Sequence, residues 1–274
     1  MDLLLNNFKQ ALAAHVPQYG TWNSFASNYA TEIIAQCGYD WMLIDGEHAP
    51  NSIQTVLSQL QAVAPYSTHP IVRTVNHDPA LIKQLLDIGV KTLMVPMVET
   101  AEQAYALVRA MRYPPHGFRG IGGGLTRATR WDGIPDYLAR ADDSLCLIVQ
   151  IESRGGLEHV EAIALTEGVH GLFVGPADLS AALGHPGNAN HADVQIAIKR
   201  IIDMARRAGK GAGILAPVYD DAIRYQEWGA SFIAVAIDIP QLRQGLTQTL
   251  SRYKKPKKTG NGADTPPGTN AGTY

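Results

Sequence analysis

The sequence contains few cysteines, and their scarcity excludes two classes of protein. Cys37 and Cys146 are the only cysteines among 274 residues. Two are too few for a disulfide-rich secreted scaffold, and they do not form the CxxC pair of a zinc site. Cys37 falls in a helical pattern and Cys146 in an apolar strand pattern. We therefore expect two buried, reduced thiols, as in a protein of the reducing cytoplasm.

Excess charge of one sign and long apolar runs are also missing. The formal net charge is -2, from 23 basic and 25 acidic residues, which leaves no basic footprint for nucleic acid or a membrane surface. No apolar run approaches the roughly 18 residues of a membrane-spanning helix, and the N-terminus lacks a basic signal sequence. We expect a small-molecule ligand and neither a nucleic-acid nor a membrane partner.

Short apolar runs alternate with helical patterns along most of the chain. Eight strands are predicted, at residues 18–22, 40–45, 70–75, 92–97, 145–152, 171–175, 211–216 and 232–237. Helical patterns between them cover residues 52–63, 79–89, 101–111, 194–208 and 218–229. This alternation indicates parallel strands, and eight units in about 250 residues match a (β/α)8 TIM barrel. A doubly wound open sheet is the alternative, but no glycine fingerprint follows the first strand.

Two regions depart from this pattern. Residues 113–143 are rich in proline and glycine, which predicts a long loop with a short helix near residues 135–141. Residues 254–274 are rich in Lys, Pro, Gly, Thr and Asn, which predicts a disordered tail. The chain is therefore expected to form one barrel domain, residues 1–253, followed by that tail.

The stretch WMLIDGEHAPN, residues 41–51, is the strongest indication of chemistry. Its apolar strand ends in Asp45, Glu47 and His48, and catalytic groups of a barrel lie at the C-terminal ends of strands. His48 is a candidate general base, with a structural histidine as the alternative. His77 is a weaker candidate. The other histidines fall in helices or loops and are expected at the surface, which argues against histidine-bound zinc: His15, His69, His116, His159, His170, His185 and His191.

Strand three contains an arginine, and strands five and six end in carboxylates. Arg73 lies among apolar neighbours, so we expect either an internal ion pair or a fork that binds a substrate carboxylate or carbonyl. Gln150 and Glu152 end strand five, and Asp178 follows strand six. Two carboxylates at one rim favour a hard divalent ion such as Mg²⁺ or Mn²⁺. Alternatively, one of them pairs with Arg73 and the other faces solvent.

The turn after strand six and the positions of the lysines limit the kinds of reaction that this site could catalyse. If a helix begins near Asp178, its free backbone N–H groups would bind a carboxylate, whereas the plain alternative makes Asp178 an N-cap. No lysine lies inside a predicted strand, so a Schiff-base mechanism lacks its nucleophile. A carbanion in this barrel would need a metal ion as its electron sink.

Six stretches together resemble the 4-hydroxy-2-oxoheptanedioate aldolase family, which are metal-dependent, pyruvate-specific class II aldolases. They are WMLIDGEHAPN, PIVRTV, TLMVPMVETAEQA, RYPPHGFRGIGGG, LCLIVQIES and GLFVGPADLSAALG, and the likeness covers about residues 5 to 253. It implies a TIM barrel that exchanges its last helix with a neighbour, in a hexamer built from dimers. It also implies a divalent cofactor, Mg²⁺, Mn²⁺ or Co²⁺.

The resemblance assigns a role to each candidate residue. Glu152 and Asp178 match the metal ligands, and Arg73 matches the arginine that contacts the pyruvate keto oxygen. His48 matches the base, Asp45 the acid near it, and Asp87 the carboxylate that orients the base. Gln150 matches a residue beside the metal and the substrate. The turn at Ala177 and Asp178 matches the one that holds the pyruvate carboxylate, and Trp22 matches an aromatic wall of the pocket. Asp87 lies near a helix end that points to the opposite rim, so it would reach His48 only from another subunit.

The implied reaction is reversible cleavage of a 4-hydroxy-2-oxo acid to pyruvate and an aldehyde through a metal-bound pyruvate enolate. The best candidate substrate is 4-hydroxy-2-oxoheptanedioate, which gives succinic semialdehyde, because Arg127 and Arg130 of the long loop would suit a second carboxylate. The alternatives are a 2-keto-3-deoxy sugar-acid (glucarate or rhamnonate) aldolase, an oxaloacetate decarboxylase, and a non-catalytic barrel that binds 2-oxo acids.

Overall fold

A closed barrel of eight parallel strands forms the centre of the computed structural model, which describes residues 4–254. The strands follow one another around the barrel in chain order, and β8 closes onto β1. They are β1 Gln18–Asn23, β2 Trp41–Asp45, β3 His69–Arg73, β4 Thr92–Val95, β5 Cys146–Ile151, β6 Gly171–Val174, β7 Gly211–Leu215 and β8 Phe232–Ile237. All eight predicted strands and the predicted TIM barrel are confirmed. The predicted disordered tail lies outside the described residues beyond Lys254.

The described helices, apart from α1, lie outside the barrel. They are α1 Asn7–Ala13, α2 Asn28–Ala35, α3 Ile53–Val63, α4 Pro79–Asp87, α5 Ala101–Met111, α6 Tyr137–Ser144, α7 Arg154–Glu158, α8 Val160–Leu165, α9 Pro176–Ala182, α10 Ala192–Arg207, α11 Tyr219–Trp228 and α12 Asp238–Tyr253. Local sequence fixes several of their ends. Ser52 and Thr100 begin α3 and α5 with capping boxes, and Gly229 ends α11 at φ +106°. None of the described helices is long and apolar enough to cross a membrane.

Two apolar layers hold the barrel together. The outer layer packs the strands against the helices and contains most of the buried Val, Leu and Ile side chains. The inner layer fills the barrel with large side chains, among them Trp41, Phe173 and Phe232. Gly20 makes room for one of them, because a Cβ there would overlap the Trp41 ring. Most strand residues are thus buried on both faces, which explains the continuous apolar runs of β4, β6 and β8.

The first helix closes the N-terminal end of the barrel. Phe8 and Leu12 of α1 are 1% exposed and belong to the inner layer. The Phe8 ring lies 6.1 Å from that of Trp41 and 5.6 Å from that of Phe232. The described part of the barrel is therefore packed at one end, and a cavity can form only at the other.

The long segment after α5 lies on the N-terminal rim, because it connects a helix to the next strand. It holds a 3-10 turn, Gly123–Leu125, and ends in α6, which confirms the predicted short helix. Arg127 donates to the carbonyl oxygen of Ile88 at 2.9 Å. Neither Arg127 nor Arg130 lines the cavity of its own chain. The expectation that they line the aldehyde pocket is thus not met within the described chain.

Three expectations about burial were wrong. Cys37 is exposed, and only Cys146 is a buried thiol. His69 begins β3 and contacts the Thr92 hydroxyl at 2.8 Å, while His170 accepts the Leu147 N–H at 3.1 Å. Both rings are partly buried, and desolvation lowers the pKa of each to about 3. Their polar neighbours within the chain were not visible in a pattern based on apolar periodicity.

Candidate active site

A cavity of about 470 Å³ opens at the C-terminal ends of the strands. Such a volume suits a small organic substrate. Of the predicted site residues, all except Asp87 line it: Trp22, Asp45, His48, Arg73, Gln150, Glu152, Ala177 and Asp178. The barrel geometry therefore brings together side chains from five separate strands or the turns that follow them.

Arg73 is held in place by two carboxylates and an aromatic ring. Its Nε and Nη2 donate to Asp45 at 2.9 and 2.6 Å, and its Nη1 lies 2.8 Å from Glu47 Oε2. The guanidinium carbon lies 4.8 Å from the centre of the Trp22 ring. Trp22 Nε1 also donates to Asp45 at 3.1 Å. Arg73 thus forms the internal ion pair and faces the cavity at the same time, but its partners are not Glu152 or Asp178.

Asp45 is an ionised carboxylate that positions its neighbours. Burial alone would raise its pKa, but the hydrogen bonds and charge of Arg73 outweigh burial and hold that pKa below its ordinary value. Asp45 also accepts the backbone N–H groups of Glu47 and His48 at 3.0 and 3.3 Å. The sequence DGEH therefore folds as a tight turn around the Asp45 carboxylate, which directs Glu47 towards Arg73. Sequence reasoning noted Glu47 but gave it no role.

Glu152 is the most perturbed carboxyl group of the cavity. It is 3% exposed, accepts the Met97 N–H at 2.9 Å and accepts from Gln150 Nε2 at 3.0 Å. Desolvation raises its pKa from 4.5 to about 7, the Met97 N–H opposes this, and the carboxylates of Asp178 and Glu47 add to it. A buried carboxyl group near other carboxylates favours a proton or a cation beside it.

The donor atoms at this position fit a divalent cation. Glu152 and Asp178 both line the cavity, and the Gln150 Oε1 atom is buried without a hydrogen-bond partner in the described chain. Carboxylate and amide oxygens are the hard donors that Mg²⁺ and Mn²⁺ prefer. A cation here would offset the repulsion between the carboxylates and satisfy the orphan oxygen. Glu152 and Asp178 are therefore a suitable metal-binding pair.

The turn after β6 supports both Glu152 and the substrate position. Gly175 is the N-cap of α9 and Pro176 its first residue, so Asp178 lies in the first turn and is not the cap. The N–H groups of Ala177 and Asp178 belong to the first turn, which has no intrahelical acceptors, and both residues line the cavity. A Cβ at Gly175 would overlap the Glu152 carboxylate and lie 2.9 Å from its Cβ. Glycine is required here by the close approach of Glu152.

His48 lies at the outer edge of the cavity, and Asp87 lies elsewhere. The His48 side chain is 66% exposed, and its Nε2 is 3.8 Å from Glu47 Oε2. Asp87 ends α4 at the N-terminal rim, where its Oδ1 accepts from Arg119 Nη2 at 2.8 Å. Within one chain, therefore, the carboxylate next to His48 is Glu47. The predicted pairing of His48 with Asp87 of another subunit stays a prediction.

Sequence reasoning missed much of the outer wall of the cavity. Asn188 and Asn190 contribute from the connection between α9 and α10, and Asp221 and Tyr225 contribute from α11. Arg224 donates to Asn190 at 3.3 Å and Asp221 at 2.7 Å, which ties these two parts of the wall together. The available signal was that the chain from β6 to α10 and the chain from β7 to α11 both begin at the C-terminal rim.

Comparisons with known proteins agree with this site. Residues 18–245 match the model of the HpcH/HpaI aldolase/citrate lyase family. The chain is 61% identical over 263 residues to the hydroxypyruvate/pyruvate aldolase of Delftia acidovorans, covering 96% of this chain and 98% of that one. It is 51% identical over 248 residues to the 4-hydroxy-2-oxo-heptane-1,7-dioate aldolase of Klebsiella pneumoniae, covering 90% and 94%.

A solved structure shows the same architecture. A crystal structure of an HpcH/HpaI aldolase/citrate lyase family protein from Burkholderia cenocepacia superposes with a TM-score of 0.88 at 41% identity. The match covers 92% of this chain and 100% of that one. The family model and these relatives extend over nearly the whole barrel, including every strand that contributes to the cavity. This chain therefore belongs to the HpcH/HpaI aldolase/citrate lyase family.

Proposed function

We propose that this protein is a divalent-metal-dependent aldolase that reversibly cleaves 4-hydroxy-2-oxo acids to pyruvate and an aldehyde. The observation that carries the proposal is the meeting of Glu152, Asp178 and Arg73 around one cavity. A site for a cation and a fixed guanidinium is what an enolate of a 2-oxo acid needs. The Klebsiella pneumoniae relative, named as a 4-hydroxy-2-oxo-heptane-1,7-dioate aldolase, supports the proposed substrate, and the Delftia acidovorans relative is also named as an aldolase.

Glu152 and Asp178 would hold the metal ion, with Gln150 beside them. When bound, the ion supplies a Lewis acid that polarises the 2-oxo group. Arg73 has five N–H donors, and its contacts with Asp45 and Glu47 use three of them. Two N–H groups are left to donate to an oxygen that gains negative charge. The first-turn N–H groups of Ala177 and Asp178 would bind the substrate carboxylate.

Residues nearer the mouth of the cavity would transfer the proton and surround the reacting carbon. His48 Nε2 would remove the proton from the C4 hydroxyl, directly or through water, and the C3–C4 bond would then break. Trp22, Phe173 and Leu215 form apolar walls that exclude water from the carbanionic carbon. A proton returned to C3 completes pyruvate.

Retro-aldol release of pyruvate from 4-hydroxy-2-oxoheptanedioate tests this proposal. Turnover should require Mg²⁺, Mn²⁺ or Co²⁺, stop with EDTA and return with added metal. Glu152→Gln should remain inactive at metal concentrations that restore the wild-type protein. Turnover that resists EDTA in a protein shown by elemental analysis to hold no metal would contradict the mechanism.

The outer part of the cavity bears on which aldehyde the enzyme accepts and on whether pyruvate or hydroxypyruvate supplies the enolate. Apart from Arg73, whose charge is already matched, no cation lines the cavity among the described residues. Asn188, Asn190 and Asp221 in the outer wall suit the hydroxyl groups of a sugar-acid-derived aldehyde, and the Delftia acidovorans relative is named for hydroxypyruvate. Comparing succinic semialdehyde with hydroxylated aldehydes, using pyruvate and then hydroxypyruvate, decides between these substrates.

The assembly and the location are part of the same proposal. We infer that the protein works in the cytoplasm, where its two cysteines would stay reduced. We also infer a hexamer built from dimers that exchange α12, as the family resemblance implies. One face of α12 carries Leu242, Leu246 and Leu250 at 52%, 64% and 50% exposure, which suits burial against another copy. Such an assembly is also what would bring Asp87 to His48.

A further inference from the structure

A cluster of two histidines and an aspartate lies outside the residues that line the cavity. His185 follows α9, while His191 and Asp193 flank the start of α10. His185 Nε2 is 3.3 Å and His191 Nδ1 is 3.7 Å from the same atom, Asp193 Oδ2. The two rings stack with centroids 3.4 Å apart and planes 16° apart. One ligand atom from each residue thus lies within 4.8 Å of the others.

We propose that His185, His191 and Asp193 form a second divalent metal site, for a transition ion such as Zn²⁺. Ligand atoms around such an ion, each about 2.1 Å from it, lie roughly 3 to 3.5 Å from one another. The separations from Asp193 Oδ2 are close to that range. Because the nitrogen lone pairs lie in the ring planes, one of the two stacked rings would rotate about its side-chain bonds so that both nitrogens point at the ion. Two imidazoles and one carboxylate select Zn²⁺, Ni²⁺ or Co²⁺ over Mg²⁺. The side chains are 26%, 37% and 66% exposed, so an ion can reach them with its waters.

The site would fasten the loop that forms one wall of the cavity. Asn188, Ala189 and Asn190 line the cavity, and they lie between the two histidines in the chain. A bond from His185 to an ion shared with His191 and Asp193 closes this loop at its base. The wall that contacts the aldehyde would then have fewer conformations to lose when substrate binds.

Tight turns and backbone hydrogen bonds bring the two ends of this loop close together. Gly184 and Gly187 have φ angles of +92° and +74°, and no atom lies within 4 Å of a Cβ at either position. Asn188 donates its N–H to the His185 carbonyl at 3.0 Å, and His191 donates to the Asn188 carbonyl at 3.1 Å. Short turns therefore bring the two histidines together before any ion binds, which lowers the entropy that binding costs.

A plainer role for these residues is helix capping. His191 Nδ1 accepts the Asp193 N–H at 3.3 Å, and His185 Nε2 contacts the Asp193 carboxylate. The distance from the Asp193 nitrogen to His191 Nδ1 is long for a hydrogen bond, and the exposed N–H groups at this helix end can donate to water instead. Metal binding would replace this weak cap by a coordinate bond. The capping role alone predicts no affinity for Zn²⁺, so the two accounts differ in a measurable quantity.

Zn²⁺ binding to the untagged full-length protein in excess Mg²⁺ tests the site. Isothermal titration should show a Zn²⁺ site that excess Mg²⁺ does not block and that persists in Glu152→Gln. His185→Gln and Asp193→Asn should each weaken it at least about tenfold, whereas His116→Gln, which removes an exposed histidine elsewhere, should not. Circular dichroism without Zn²⁺ confirms that each variant is folded.

Hydrogen exchange of residues 184–193 gives a second readout. Zn²⁺ should slow amide exchange there at least about tenfold in the wild-type protein and leave it unchanged in His185→Gln. Equal Zn²⁺ affinity in wild type, His185→Gln and Asp193→Asn would overturn the proposal, as would the absence of any Zn²⁺ site in Glu152→Gln. These readouts do not depend on aldol cleavage.

Discussion

Arg73 shows how a single residue can be both structural and functional. A charged group in a barrel strand needs a partner, and Asp45 and Glu47 provide two. Because the strand register pairs Asp45 with Arg73, the partner lies directly across from it. The sequence left open whether Arg73 forms an internal ion pair or binds substrate, and it did not identify the partner, because register is a property of the whole sheet.

We expect His48→Ala and Arg73→Ala to lose most turnover but to differ in stability. His48 is 66% exposed, so its loss should lower kcat about 10²-fold or more and change the free energy of unfolding by less than about 0.5 kcal/mol. Arg73→Ala should lower kcat about 10²- to 10³-fold and cost about 3 to 5 kcal/mol, because Asp45 is left buried and unpaired.

Steady-state kinetics and urea unfolding measure both effects. Arg73→Lys keeps the charge and separates the catalytic loss from the loss of stability, because lysine cannot form the same fork. His159→Ala removes an exposed histidine away from the cavity and serves as the control. Near-normal turnover in both His48→Ala and Arg73→Ala would rule out this site.

The pKa of Glu152 predicts how metal-free protein responds to pH. Burial raises that pKa from 4.5 to about 7, so between these values the folded chain holds a proton that the unfolded chain has released. Stability of the metal-free protein should therefore fall by about 3 kcal/mol as pH rises from about 4.5 to 7, and level off above. Metal affinity should rise about tenfold per pH unit up to pH 7, because the ion needs the carboxylate.

Urea unfolding of EDTA-treated protein between pH 5 and 8 and metal titrations over the same range check this. Glu152→Gln has no proton to release at this position, so the difference in stability between it and the wild type isolates Glu152 from other groups. A difference that is independent of pH would show that Glu152 is not perturbed by its burial.

At the scale of elements, the ends of strands were predictable and the connections between them were not. Apolar runs locate β2 and β5, and the polar residues after them mark the active rim. Arg127 and Arg130 of the long segment after α5 were expected at the aldehyde pocket, but a helix-to-strand connection lies at the N-terminal end of its own barrel. Its position follows from connectivity, whereas its richness in glycine and arginine indicated only that it is unusual.

The turn between β6 and α9 gives a test of close packing. Gly175→Ala places a Cβ against Glu152, which must then move away from Met97 and Gln150. We expect metal affinity and kcat to fall at least about tenfold while the barrel remains folded. Gly245→Ala in α12 is the matched control, because a Cβ there meets no atom within 4 Å. Isothermal titration with Mn²⁺ measures the metal affinity of each variant, and circular dichroism measures its folding. Equal Mn²⁺ affinity in both variants would contradict the expected role of Gly175.

At the scale of the whole molecule, α12 is the α-helix with the fewest buried residues relative to its length among the described residues. Only Asp238 of this helix is buried, and Leu242, Leu246 and Leu250 form an exposed apolar stripe. Neither fact was visible in the sequence, where the helix pattern resembles that of any helix packed on its own barrel. The expectation of an exchanged helix came from family resemblance alone.

We expect Leu246→Glu combined with Leu250→Glu to lower the molar mass in solution. Charges in a buried apolar stripe oppose assembly, and light scattering after size-exclusion chromatography measures the result. Gln248→Glu adds a charge to the opposite face of the same helix and should leave the mass unchanged. If the double variant keeps the wild-type mass, α12 is not part of an interface.

The packing of α1 against the barrel interior has a kinetic consequence. Phe8 and Leu12 close one end, so the two products of a cleavage must leave through the same opening. In the proposed mechanism, the pyruvate fragment at Arg73 and Glu152 would lie deeper than the aldehyde fragment at Asn190 and Asp221, and it would pass only after the aldehyde has left. We therefore expect ordered release, with the aldehyde first and pyruvate last. Pyruvate therefore competes with the 4-hydroxy-2-oxo acid for the free enzyme, whereas the aldehyde does not.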